Sequence, residues 1–212
     1  AAIRAESIWK RSLSGAVAEG WSLTVEEGIR VPLLLIRPPG EKPAPVVVAV
    51  AQTGKERFLT DRTREIESLL RAGIAICLPD VRATGETAPS PDRGDGGPYH
   101  RIAETEFDLG RSRLGSRLKD RRAVLAWLRQ RPGLDPRNLA LWGDSFSPPN
   151  PPNLWLDELE FPGGPQIQYR AEPMGAHLAL APSSPAAASP AISPCWRAPS
   201  HTSPSRTCFW ES

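Results

Sequence analysis

The spacing of the hydrophobic positions changes along the chain, and these changes predict a sheet flanked by helices. From residue 21 to residue 27 apolar and polar residues alternate, which predicts a half-buried strand. Residues 31–36 predict a second strand, and Gly28 between the two suits a hairpin turn. The later strands are continuous apolar runs, which are typical of strands covered on both faces in a parallel sheet. Three such runs occur, at residues 45–51, 74–78 and 139–142.

Two stretches between these strands have the period of an amphipathic helix. Residues 55–72 place Phe58 and Ile66 on one side, and residues 113–130 carry a similar apolar stripe. A weaker helical pattern over residues 1–20 predicts an N-terminal helical lead. The resulting order, β-β-β-α-β-α-β, favours an α/β sheet with right-handed crossovers between its parallel strands.

The last apolar run leads directly into Gly143-Asp144-Ser145-Phe146-Ser147. This is the pattern of a nucleophile elbow, in which a strand ends in a sharp turn that holds a serine out at the sheet edge. Gly143 is the small residue required before the serine, but Ser147 stands where glycine is usual, so the turn carries some strain. The pentapeptide alone fits an ordinary turn after a buried strand equally well. We expect Asp144, at the variable position, to face solvent or the loop after Val81.

The composition of the chain changes abruptly near residue 181. Thirteen of the 24 prolines follow Ser147, and Ala, Pro and Ser dominate residues 181–212. Such a composition buries too little apolar surface to offset the entropy lost on ordering. We therefore expect a partial α/β domain over residues 21–180, with a Pro-rich insert or lid at 148–170, and a disordered or non-native tail over 181–212. A reading-frame shift is one origin that would explain the tail.

Charge and composition narrow the classes of partner. A formal net charge of +2, without a basic stripe or an acidic tail, gives no sign of a nucleic-acid partner. No apolar run approaches the ~20 residues of a membrane helix, so no membrane partner is expected. The three cysteines lack metal-ligand spacing, and we expect no metal and no cofactor. The chain begins with Ala1 and has no signal-peptide pattern, so compartment and oligomeric state stay open.

Three segments together resemble the α/β-hydrolases, and among them the acetyl xylan esterase and deacetylase branch. They are VVVAVAQTGK at residues 46–55, LPDVRATGET at residues 78–87 and DRRAVLAWLRQRPGLDPRNLALWGDSFS at residues 120–147. Two departures stand out, Ser147 for glycine and Ala83-Thr84 for the usual Gly-Gln. The resemblance covers residues 30–147. It implies a mostly parallel sheet flanked by helices and truncated after the nucleophile strand.

The resemblance also implies a reaction. Ser145 would attack a carboxylic ester, such as an acetyl group on a carbohydrate, and form an acyl-enzyme that water releases. The backbone N–H of Phe146 would be one donor to the oxyanion, and the other would come from Gln52 or Thr53. The alternative for that loop is an ordinary strand-to-helix turn with Thr53 as the helix cap.

The triad acid and histidine are not identified. In this fold both follow the serine along the chain. His177 is the candidate base, although its helical apolar surroundings favour a packed or exposed histidine, and His201 lies in the Pro/Ser-rich tail. His100 and Asp80 precede the serine, and Asp80 is expected to cap a turn or pair with an arginine. The alternative function is therefore a non-catalytic fragment or pseudo-enzyme of the same fold, separated from the first by whether a histidine reaches Ser145.

Nucleotide binding is a third hypothesis, prompted by the run Gln52-Thr53-Gly54-Lys55. A phosphate-binding loop needs glycine at the position of Ala49 and Ser or Thr at that of Glu56. The sequence therefore argues against it.

Overall fold

The computed structural model describes residues 3–40, 42–89, 104–144, 146, 178 and 207–211. Its strands are β1 (Arg4–Leu13), β2 (Ala16–Glu26), β3 (Ile29–Arg37), β4 (Ala44–Ala51), β5 (Ala75–Pro79), β6 (Leu134–Asp144) and β7 (Thr207–Glu211). Its helices are α1 (Lys55–Asp61), α2 (Thr63–Arg71) and α3 (Arg113–Leu128), with a 3-10 turn at Gly85–Thr87 and a helical turn over residues 104–108. None of the described helices is long and apolar enough to cross a membrane.

The described strands form one sheet in the order β1-β2-β3-β5-β4-β6-β7. Its centre, β5-β4-β6, is parallel, and the other neighbours are antiparallel. All of β5 is buried, and Pro45 is the single residue of β4 that is not. The predicted α/β sheet with flanking helices is confirmed, and the sheet is mixed, with its parallel part where the continuous apolar runs are.

The core lies in two layers, one on each face of this sheet. On one face α3 buries Val124, Leu125 and Leu128, and Leu178 is buried in the same layer. On the other face α1 and α2 bury Phe58 and Ile66 against the sheet. The amphipathic patterns of both predicted helical stretches therefore point to the faces that are buried.

The predicted helical lead over residues 1–20 is wrong. β1 and β2 form an antiparallel hairpin, and Gly15 at its turn has a φ of 80°. The register shifts between Ser7 and Trp9, so one extra residue interrupts the alternation of β1. Every residue of β1 is exposed, so its sequence lacks the alternation by which a half-buried strand is predicted. Gly20 allows the indole of Trp9 to lie against β2, since a Cβ at Gly20 would overlap that ring.

The predicted single helix over residues 55–72 is divided in two. Arg62, between α1 and α2, has a φ of −123°, which is not helical. The hydroxyl of Thr63 donates to the carbonyl of Leu59 at 2.6 Å, a bond back to the preceding turn of the kind that bends helices. The break sets Arg62 beside the end of β6.

The predicted tail contains the strand β7. Its residues pair antiparallel with β6, from Thr207 opposite Gly143 to Glu211 opposite Leu139. The structure differs here from the expectation of disorder, because aromatic and β-branched residues favour strands and β6 otherwise presents unpaired backbone groups. The rest of the tail lies outside the described residues, as does the insert or lid predicted at 148–170.

Candidate active site

The carboxyl ends of β4 and β6 lie side by side. Their parallel register pairs Val50 with Gly143 and Ala51 with Asp144. The loop that starts at Gln52 and the turn that follows Asp144 therefore leave the sheet at the same edge, where α/β sheets bind ligands. Ser145, the nucleophile candidate, lies outside the described residues. So do the three histidines, His100, His177 and His201.

Phe146 has a backbone conformation that indicates a sharp turn after β6. Its φ of 53° lies in the left-handed region, where a residue with a Cβ is strained. Its ring packs edge-on against Phe58 at 5.1 Å between centroids, and Phe58 packs on Trp142 at 4.9 Å. The guanidinium of Arg62 lies 5.2 Å from the centroid of the Phe146 ring. These contacts hold the turn against α1 and its break.

Asp144 does not face solvent or the loop after Val81, so that prediction is wrong. Its side chain is completely buried, with 0% exposure. Oδ2 accepts a hydrogen bond from Nε of Arg62 at 2.9 Å and forms an ion pair with Nη2 at 2.8 Å. Oδ1 accepts from the backbone N–H of Phe146 at 2.9 Å. Burying this carboxylate without these donors would be costly, so Arg62 accounts for its position.

The backbone N–H of Phe146 is the first donor that the sequence predicts for an oxyanion. Such a donor must point to the place where the substrate oxygen acquires charge. In this structure it donates to Asp144 Oδ1. Reaching an oxyanion therefore requires this hydrogen bond to be shared or exchanged.

The loop after β4 contains the other predicted donors. Gln52 is half-buried, and its Oε1 is buried without a hydrogen-bond partner in the part of the chain that the structure describes. Thr53 is exposed, and the residue that caps α1 is Gly54, so the alternative of a Thr53 helix cap is wrong. Gly54 has a φ of 94°, and a Cβ there would overlap the backbone of Gly85. The loop is thus packed against the 3-10 turn.

Asp80 joins that loop to the end of β5. Its Oδ1 accepts from the backbone N–H of Lys55 at 2.7 Å, and its Oδ2 accepts from Lys55 Nζ at 2.6 Å and from the N–H of Glu86 at 3.0 Å. Asp80 caps a turn as expected, but the cation that it pairs with is a lysine rather than an arginine. Burial lowers the pKa of Lys55, but hydrogen bonds to Asp80 and Glu86 outweigh it and raise that pKa above its usual value. Lys55 therefore stays protonated and does not act as a general base near neutral pH.

A second ion-pair network fixes the segment that follows Asp80. Arg82 donates to Asp120 from Nε at 2.9 Å and from Nη2 at 2.5 Å, and it also pairs with Glu26. The hydrogen bond from Arg82 lowers the pKa of Glu26 to about 2. Ala83, where the resembled branch has glycine, has a φ of 60°, the region in which glycine is unstrained. The ion pairs of Arg82 thus stabilise this segment although Ala83 has a φ that alanine does not favour.

Within the described ranges, no group of three or more His, Cys, Asp or Glu side chains could hold a metal ion.

No protein-family model and no curated protein matches the chain. Solved structures do match its fold. One is a candidate acetyl xylan esterase from Bacteroides fragilis, with a TM-score of 0.56 and 17% identity over 64% of this chain and 40% of that one. Another is an acetyl xylan esterase from Paenibacillus sp. R4, with a TM-score of 0.50 and 17% identity over 66% of this chain and 44% of that one. The chain has the α/β-hydrolase fold.

The resemblance seen over residues 30–147 is thereby confirmed for the fold. The matched part spans less than half of either esterase. At 17% identity the likeness establishes the architecture and leaves the activity to be argued from the residues of this chain.

Proposed function

We propose that this chain carries the nucleophile of a serine hydrolase that cleaves carboxylic esters, with acetylated carbohydrate as its substrate class. The observation that carries the proposal is the left-handed turn at Phe146, one residue after Ser145 and at the carboxyl edge of the sheet. In α/β-hydrolases the nucleophilic serine sits on a sharp, strained turn from a strand into a helix, and a left-handed residue directly after Ser145 supports such a turn here. The two matched esterases support the substrate class, since one is described as an acetyl xylan esterase and the other as a candidate for that activity.

In the proposed reaction the hydroxyl oxygen of Ser145 forms a bond to the acyl carbon, and the alcohol leaves with a proton. Water then hydrolyses the acyl-enzyme and releases the acid. The N–H of Phe146 stabilises the oxyanion as a donor shared with Asp144, and Gln52 or Thr53 supplies the second donor. His177 is the candidate base, and the triad acid is not assigned.

One observation favours a non-catalytic chain with the same fold. The N–H of Phe146 donates to a buried carboxylate that is itself paired with Arg62. A hydrogen bond to a charged acceptor is stronger than a neutral one, so the oxyanion must displace a strong competitor. If the N–H stays wholly with Asp144, the elbow is formed without its oxyanion donor.

Labelling with a fluorophosphonate probe separates the two functions. We expect the folded chain to be labelled, the Ser145→Ala variant to be unlabelled and the Ser147→Ala variant to be labelled like the parent. The control at Ser147 replaces a neighbouring serine and tests whether the label depends on position. Absence of labelling in a parent chain with a cooperative unfolding transition would support the non-catalytic alternative.

A further inference from the structure

Arg62 and Asp144 connect the turn at Phe146 to the break between α1 and α2. We infer that they form a positioning pair that fixes the backbone of the nucleophile elbow; the kinetic part of this inference rests on the proposed function. Neither residue touches the reacting atoms in this inference. Both act through the backbone conformation of Phe146.

A hydrogen bond within the turn joins Phe146 to Asp144. Asp144 Oδ1 accepts from the N–H two residues later, at 2.9 Å, which is the hydrogen bond of an Asx-turn. This bond spans the sequence position of Ser145. It stabilises a left-handed φ of 53° that a phenylalanine does not favour by itself.

Arg62 anchors the carboxylate of Asp144. Arg62 directs Nε and Nη2 to the other oxygen of Asp144, at 2.9 Å and 2.8 Å, and its side chain is 16% exposed. The backbone of Arg62 is itself held, because its N–H donates to the carbonyl of Phe58 and its carbonyl accepts from the N–H of Ile66, both at 3.0 Å. The carboxylate is therefore fixed from outside the turn.

Arg62 also contacts the ring of Phe146. The guanidinium lies 5.2 Å from the ring centroid, within the range of a cation–π contact. Arg62 thus holds the elbow at two points, through the carboxylate of Asp144 and through the ring of Phe146.

The test uses two measurements, of which the first does not depend on activity. Hydrogen exchange at the Phe146 amide reports the bond to Asp144 directly. The fluorophosphonate labelling rate, expressed per folded molecule, reports the consequence for Ser145. In Asp144→Ala we expect exchange at Phe146 to accelerate about tenfold or more and labelling to slow by a similar factor, since the bond to a charged acceptor is lost.

Two conservative variants divide the pair into its parts. Asp144→Asn keeps an oxygen that accepts from Phe146, so it should recover much of the protection and labelling lost in Asp144→Ala. Arg62→Lys keeps the charge but loses the planar fork, so exchange at Phe146 should accelerate even if Asp144→Ala does not fold. The matched control is Asp120→Asn, which disrupts the buried pair with Arg82 and should lower stability without changing exchange or labelling at the elbow.

Each result supports or overturns the inference. Unchanged exchange at Phe146 in folded Asp144→Ala or Arg62→Lys would overturn it. Faster labelling in Asp144→Ala would also overturn it, because Asp144 would then be blocking the oxyanion donor. If the parent chain is not labelled at all, the proposed function fails, and the exchange measurement still decides whether the pair positions the elbow.

Discussion

Glu19 offers a direct test of the electrostatics of this fold, because its buried carboxylate is held by three donors. Its side chain is 2% exposed and accepts from Arg37 at 2.7 Å, Arg131 at 2.9 Å and Trp21 Nε1 at 3.0 Å. Burial alone raises the pKa of Glu19, but these hydrogen bonds outweigh it and lower the pKa from 4.5 to about 2. The ionised form is therefore the form that the fold stabilises.

The size and direction of the effect of Glu19 on stability follow from the linkage between proton binding and folding. Each pKa unit is worth about 1.4 kcal/mol, so the shift of Glu19 contributes roughly 3 kcal/mol to the free energy of unfolding. Because the folded-state pKa is the lower one, this contribution is fully present above about pH 4.5 and is lost as the pH falls towards 2. We expect Glu19→Gln to be destabilised by roughly 3 kcal/mol at pH 7, and the gap to the parent to narrow below pH 4.5.

The assay is urea unfolding of the parent and Glu19→Gln chains at a series of pH values from 7 to 2.5. Glu27→Gln is the matched control, because Glu27 is an exposed glutamate of the neighbouring turn. Its stability should follow that of the parent within ~0.5 kcal/mol at every pH. A gap between parent and Glu19→Gln that stays constant from pH 7 to pH 2.5 would refute the reasoning.

Three further predictions concern the site. Gly54→Ala should lower the free energy of unfolding by more than ~1 kcal/mol, because the φ of 94° and the contact with Gly85 both exclude a Cβ. Thermal unfolding of Gly54→Ala and Gly73→Ala separates these two causes, since Gly73 also has a positive φ but its Cβ would meet nothing within 4 Å. Lys55→Met should lower the free energy of unfolding by about 3 kcal/mol, because it leaves Asp80 buried with two backbone donors and no cation. Adding Asp80→Asn should recover part of that stability, as measured by urea unfolding of the single and double variants. Phe58→Ala should cost about 3–5 kcal/mol in urea unfolding and also accelerate exchange at Phe146, whereas an effect on stability alone would show that the ring contact does not support the turn.

The sequence predicts those parts of the fold whose signal is local. The continuous apolar runs locate β4, β5 and β6 because a strand covered on both faces needs no alternation. β1 escapes prediction because none of its residues is buried, so its sequence carries no alternation of apolar and polar positions. β6 begins at Leu134, five residues before its apolar run, and its register with β4 shifts between Ala44 and Val46.

The site divides in the same way. The elbow pattern is a short motif and predicts a sharp turn at the edge of the sheet, which the φ of Phe146 fits. The partners of its carboxylates are not local, since Arg62 precedes Asp144 by 82 residues and Lys55 precedes Asp80 by 25. No spacing rule connects residues so far apart, and only the assembled sheet brings them together.

The contact among Gly54, Asp80 and Gly85 has a consequence for how this chain can vary. A Cβ at Gly54 would overlap the backbone of Gly85, and a Cβ at Gly85 would overlap the carboxylate of Asp80. Three residues from separate segments therefore share one small volume, and the effect of changing any of them depends on the other two. Substitutions at positions 80 and 85 are therefore epistatic, because a shorter side chain at position 80 would remove the overlap with a Cβ at Gly85. The overlap of a Cβ at Gly54 is with the backbone of Gly85, so it persists whatever residue stands at position 85.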